Sequence, residues 1–263
     1  MSEQEDVVGD LVELGVLAGV RWAYQAACTR TLGEFDEADG HDATWFGTTR
    51  HTLFRDRLDR VFHCKRYAAQ EGSEGDNLDL VFERLTQDEI DTFPALPPML
   101  VARADLQGSP GWSTGTYRFL LASTLYGEVE TLPWPRKSET KQMVAAQPGP
   151  EPQLTLFDDL EDDEVGSLRV LQATAEAELD VRTFVVAHSL DAVSGERELV
   201  FGRPFLNLGG GNAWRWRENL LRDLPSGGAR TTAPVSPSSP DAEPDAAVRL
   251  RRGVERRARG GEQ

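Results

Sequence analysis

The chain has 263 residues and carries 44 Asp+Glu against 28 Lys+Arg, a formal charge of -16, with 39% hydrophobic and 27% charged residues. That balance excludes a collagenous chain, a disulfide-dense secreted scaffold and a wholly disordered chain. It also excludes coating of nucleic acid through overall positive charge, because the average surface repels phosphate.

In chain order, residues 5–33 read as one helix. Val7, Leu11, Leu14, Ala18 and Trp22 recur at steps of three and four and form an apolar stripe. Gly15 and Gly19 weaken this helix by up to about 1 kcal/mol each, and they also permit close packing against a second helix. Residues 34–42 are acidic and turn-like. A second helix is expected over 49–69, where Leu53, Leu58, Val61 and Phe62 alternate with Arg55, Asp56, Arg57, Asp59 and Arg60 as a solvated, salt-bridged face. The two helices are expected to pair.

Residues 70–77 read as a loop, and the alternation of Leu78, Leu80 and Phe82 predicts a strand. Thr86 is placed to cap a short helix through residue 92, which Pro94, Pro97 and Pro98 stop. Two strands are expected over 99–106 and 117–130. Residues 133–152 hold five prolines and read as a linker, followed by an acidic run at 158–164. Strand character resumes over 168–188, clearest at Val181, Thr183, Val185 and Ala187, and a hairpin at 190–195 leads to a strand over Glu198–Phe205. Gly209-Gly210-Gly211 then precedes a short helix from Ala213 to Leu224, and residues 225–263 read as a disordered tail.

The expected fold is therefore α+β: an N-terminal helical pair packed on a mainly antiparallel sheet, with a Pro-rich internal linker and a disordered C-terminal tail. The expected organisation is 1–132, helices and first strands; 133–164, linker; 165–224, a hairpin and short helix completing the sheet; and 225–263, tail. The longest apolar run, Leu14 to Val20, falls far short of the roughly 20 residues of a bilayer span, so no membrane partner is expected. Two cysteines, Cys28 and Cys64, and an acidic N-terminus point to a cytoplasmic protein with buried thiols.

The most specific pattern in the chain is Gln153-Leu154-Thr155-Leu156-Phe157, preceded by Pro148, Pro150 and Pro152 and followed by acidic residues. It resembles the short peptide by which bacterial DNA polymerases, mismatch-repair proteins and related factors dock on the sliding clamp. The resemblance implies that Leu156 and Phe157 fill an apolar pocket, with Leu154 beside them, while Gln153 hydrogen-bonds at the rim. The competing reading is an ordinary strand with Leu154 and Leu156 on one face. A second candidate is the basic end of the tail, where Arg249, Arg251, Arg252, Arg256, Arg257 and Arg259 stand against Glu255 alone. Any contact with nucleic acid, or with an acidic protein, is expected to run through these residues.

Other patterns are weaker. His41, Asp42, His51, His63 and Cys64 are metal-capable, but neither structural-zinc spacing nor a His upstream of His41-Asp42 occurs, so no metal and no cofactor are expected. Glu139-Thr140-Lys141 is the one Glu-x-Lys of nuclease type, and it falls in the linker rather than on a strand. Gly209-Gly210-Gly211 lacks the residues of a phosphate loop, and Trp214-Arg215-Trp216-Arg217 offers stacking and charge for single-stranded nucleic acid only if both rings are free. The function expected is that of a non-enzymatic adaptor in bacterial DNA transactions. The alternatives are an enzyme centred on His41, Asp42 and His51, a metal-dependent hydrolase or nuclease-like protein, and an obligate subunit whose partner is encoded in the same operon.

Overall fold

The computed structural model describes residues 2–68, 76–149 and 162–222. Helix α1 (Glu3–Glu13) starts at a capping box in which Ser2 and Glu5 satisfy each other's backbone amides. The single helix expected over 5–33 is in fact two, because Gly15 takes a φ of 75° and α2 (Val16–Glu34) restarts after it. Both early glycines do allow close approach. A Cβ on Gly15 would lie 2.8 Å from Leu96 Cδ2, and one on Gly19 would lie 3.1 Å from the Phe62 ring.

Helix α3 (Ala43–Val61) begins six residues before the expected start, because Asp42 caps it by accepting from the Trp45 amide at 2.8 Å. It ends well before residue 69, where His63 takes a positive φ of 50°. Helices α2 and α3 pack together as the expected pair. Leu78–Phe82 is not a strand but part of α4 (Asp76–Phe82). The reason is tertiary: Arg60 on α3 donates to the carbonyls of Leu80 at 3.1 Å and Val81 at 2.5 Å, satisfying the C-terminal end of the helix. Thr86 and Glu89 form the predicted capping box of α5 (Gln87–Asp91).

Six strands follow: β1 (Ala102–Arg103), β2 (Gly111–Ser113), β3 (Tyr117–Ser123), β4 (Arg182–Leu190), β5 (Arg197–Pro204) and β6 (Trp214–Asn219). They lie side by side in chain order in one sheet. Every neighbouring pair is antiparallel except β3 and β4, which are parallel with Tyr117 opposite Arg182 and Ser123 opposite His188. A parallel pair needs a long crossover, and α6 (Glu139–Ala145) and α7 (Asp162–Glu178) supply it.

The α+β class is therefore correct, but three further local expectations are not. The part of the 133–152 stretch that is described is built into the core, not a spacer. Trp134 is fully buried and donates through Nε1 to the Ala213 carbonyl at 2.7 Å, and Gln147 donates to the Thr183 carbonyl at 2.7 Å. Residues 168–178 belong to α7, so the strand begins only at Arg182. The expected helix after Ala213 is strand β6.

Both faces of the sheet are covered. Phe119, Leu121, Phe184, Val186 and Phe201 face α1 to α3. Leu120, Ala122, Val185 and Ala187 face α6, α7 and Trp134. Central strands buried on two sides read as continuous apolar runs rather than alternating ones, as at Phe119–Ala122 and Phe184–Ala187.

Candidate functional site

Gln153, Leu154, Leu156 and Phe157 lie outside the described residues, as do Arg249, Arg251, Arg252, Arg256, Arg257 and Arg259. In sequence, the first group falls in the connection between α6 and α7.

His41, Asp42 and His51 do not converge. Asp42 is occupied as the α3 cap, and His41 accepts the Asp36 amide on Nδ1 at 3.1 Å while stacking on Trp45 with ring centroids 3.9 Å apart. His51 is nine residues further along the helix, about 13 Å of axial rise from Asp42. Cys64 donates its thiol to the Val101 carbonyl at 3.4 Å, and burial pushes its pKa up to about 12. Among the described residues no group of three or more His, Cys, Asp or Glu is placed to hold a metal. Among them, too, no helix is long and apolar enough to cross a membrane.

Trp214 and Trp216 are not a free stacking platform. An irregularity pairs Arg203 with Trp216 but Pro204 with Trp214, so Arg215 is the extra residue of a β-bulge. The bulge sends the two rings to opposite faces. Trp214 packs edge-on against Trp134 at 5.6 Å, and Trp216 lies against Phe184 at 5.4 Å and donates to Glu3 at 2.7 Å.

The acidic residues of α3 are also structural, but they reach further than neighbouring turns. Asp56 accepts from Arg57, Arg60, Arg66 and the Tyr67 hydroxyl. Burial alone would raise its pKa, yet these donors hold it down at about 2. Asp59 accepts from Arg103 at 2.9 Å and from Trp112 Nε1 at 3.0 Å, tying α3 to β1 and β2.

Among the described residues, one group of buried, unsatisfied polar atoms lies where β3 and β4 end. His188, near the end of β4, is fully buried, and neither ring nitrogen has a hydrogen-bond partner. Its ring stacks against His51 at 5.9 Å and lies 5.1 Å from Phe54 and 5.8 Å from Tyr24. Tyr24 is held by its hydroxyl, which donates to the Ser189 carbonyl. Beside the two imidazoles, Arg50 is buried and donates to the Leu190 carbonyl at 3.2 Å, leaving its Nε unpartnered, and His51 Nδ1 is unpartnered as well. From the opposite side of the sheet, Lys137 reaches the Ser123 carbonyl at 2.7 Å.

Burial and neighbouring cations dominate the electrostatics of this corner, with Glu128 acting in the opposite direction on Lys137. Burial, then the charges of Lys141, Arg55 and Arg50, lowers the His51 pKa to about 4. Burial, then Arg50, His51, Lys141 and Lys137, drives His188 well below the ordinary histidine range. Burial also lowers Lys137 and Lys141. Both rings are therefore neutral near pH 7 and surrounded by cations. Among the described residues no carboxylate comes within ion-pair distance of Arg50, Arg55, Lys137 or Lys141.

Sequence reasoning missed Arg50, Lys137 and His188, and weighed Lys141 only as the last residue of Glu139-Thr140-Lys141. Only Lys65, Lys137 and Lys141 among the chain's 28 basic residues are lysines, and two of them lie four positions apart. That oddity was a usable signal, whereas the position of His188 opposite His51 was not. No protein-family model, no curated protein and no solved structure significantly matches the chain.

Proposed function

We propose that the chain is a non-enzymatic adaptor in bacterial DNA transactions that docks on a sliding clamp through Gln153, Leu154, Leu156 and Phe157. The observation that carries this reading is the Gln-Leu-x-Leu-Phe order itself, set among prolines and followed by acidic residues. An apolar pair at the end of a short peptide supplies the anchors of such an interface, and the polar residue sets its register. The frame around the peptide supports the reading. The connection leaves from Gln147, whose side chain is bonded to Thr183 on both its donor and acceptor sides, and returns at α7. A peptide tethered at both ends loses less chain entropy on docking than a free one.

In this reading the tail residues Arg249, Arg251, Arg252, Arg256, Arg257 and Arg259 make whatever contact the protein has with phosphate or an acidic partner, since residues 1–224 carry a net charge of -18. The test is calorimetric titration of the full chain against a bacterial clamp. Saturable binding that is lost in Leu156→Ala/Phe157→Ala is expected. No heat at about 100 µM, or equal binding by the double variant, refutes the proposal.

A further inference from the structure

A second site is built independently of that peptide. We propose that the C-terminal end of the β3/β4 pair binds a phosphate-type oxyanion, held by Lys137, Lys141, Arg50 and Arg55 beside the His51–His188 ring pair. Four observations converge on it.

The first is position. The parallel register sets Ser123 opposite His188, and Lys137 donates to the Ser123 carbonyl at 2.7 Å, so this strand end brings the lysine and the buried imidazole close together. The second is unpaired positive charge. In a chain of net charge -16, four cations gather here with no carboxylate at ion-pair distance among the described residues. Arg50 is the buried member of the four; a buried charge without a charged partner is costly, and an anion relieves that cost.

The third is unpaired donor capacity. His188 is fully buried with both nitrogens free, and Arg50 Nε and His51 Nδ1 are buried and free beside it. A corner designed only for packing would hold an aromatic hydrocarbon at 188. The fourth is accessibility. His51, Arg55, Lys137 and Lys141 are only partly buried, so these four side chains keep some contact with solvent. The loop after β3 also exposes Leu125 and Tyr126 next to it in sequence, a rim suited to the organic part of a phosphate ester. The arrangement has a point-charge character: lysines grip an oxyanion without fixing its orientation, while the Arg50 fork is already partly committed to Leu190.

The experiment uses the full chain, with calorimetric titration of inorganic phosphate and, separately, of a nucleoside 5′-monophosphate, at constant ionic strength set with chloride. One-to-one saturable binding of at least one probe is expected. Binding of phosphate alone assigns a free oxyanion as the ligand; tighter binding of the monophosphate assigns an ester. Lys137→Gln/Lys141→Gln should weaken the binding at least tenfold, and Lys141→Arg should retain it within about threefold. Arg30→Gln/Arg84→Gln removes the same charge at exposed positions elsewhere and should leave affinity unchanged. Circular dichroism and an unchanged unfolding midpoint certify that each variant is folded. No saturable heat with either probe up to about 10 mM, or an equal loss in the two double variants, overturns the proposal.

Discussion

Replacing His188 by Phe should stabilise the protein. The imidazole is fully buried and both nitrogens are unpartnered, and a desolvated polar group without a hydrogen bond costs about 1–3 kcal/mol. A phenyl ring preserves the contacts to Phe54 at 5.1 Å, Tyr24 at 5.8 Å and His51 at 5.9 Å. Its extra volume costs up to about 1.5 kcal/mol. The net gain at pH 7.5 is then about 1 kcal/mol, or about 2–4 °C in Tm for a domain of this size.

Acid makes the prediction sharper. The folded chain holds His188 and His51 neutral, His51 with a pKa of about 4 against 6.5 for the free side chain. Between those values the unfolded chain binds protons that the folded chain refuses, so stability falls as pH drops below 6.5. For His51 the displacement bounds the loss at about 3 kcal/mol; its ring is partly exposed, and water reduces this to about 1–2 kcal/mol. In His188→Phe one of the two refused protons is gone. Its advantage over the parent chain should therefore widen by up to about 1.4 kcal/mol for each pH unit below 6.5. Urea unfolding of both proteins at pH 7.5, 6.5 and 5.5 reads this directly. A variant less stable than the parent at pH 7.5, or a gap that does not change with pH, would refute the reasoning.

Two further substitutions probe the frame that carries the site. Asp59→Ala leaves the Trp112 indole without its acceptor and Arg103, which is 11% exposed, without its inner carboxylate. It should cost about 3–5 kcal/mol by chemical denaturation, with Asp59→Asn costing less because the amide oxygen still accepts from the indole. Gly202→Ala would place a Cβ 2.4 Å from the Trp216 carbonyl oxygen and 2.9 Å from the Arg217 Cα. Both are backbone atoms of the adjacent strand, so the pairing must open, at about 3 kcal/mol. Gly9→Ala, with nothing within 4 Å and in the middle of α1, is the matched control and should gain about 0.5–1 kcal/mol in thermal unfolding.

The α+β class, the helical pair, the Thr86 cap, the start of the strand at Tyr117 (expected to run to 130 but ending at Ser123) and the strand expected over Glu198–Phe205, found at Arg197–Pro204, were legible because each follows from local rules of periodicity, capping and turn chemistry. The errors share a cause. Leu78–Phe82 alternates like a strand, but Arg60 from another helix satisfies its terminal carbonyls. Trp134 sits among prolines like a spacer residue, yet the far side of the sheet supplies it with a pocket and an acceptor. Trp214 and Trp216 sit two apart, which in a regular strand puts them on one face, and a single bulge separates them. No window of sequence contains the partner that decides these cases.

The proposed docking peptide depends least on the fold, since its candidacy rests on five consecutive residues and their own chemistry, and the sequence by itself determined that candidate. Its net charge of -16 likewise excluded the broad class of cationic nucleic-acid binders without any coordinates. The cluster at the strand ends is the opposite case. His188 lies 137 positions from His51, and the parallel register that sets Ser123 beside His188 also brings Lys137 to the same corner. Spread along the chain these are ordinary residues. Only the tertiary structure removes water from both rings and gathers unpaired cations around them, because burial and proximity across a sheet are properties of the packed molecule and not of any segment.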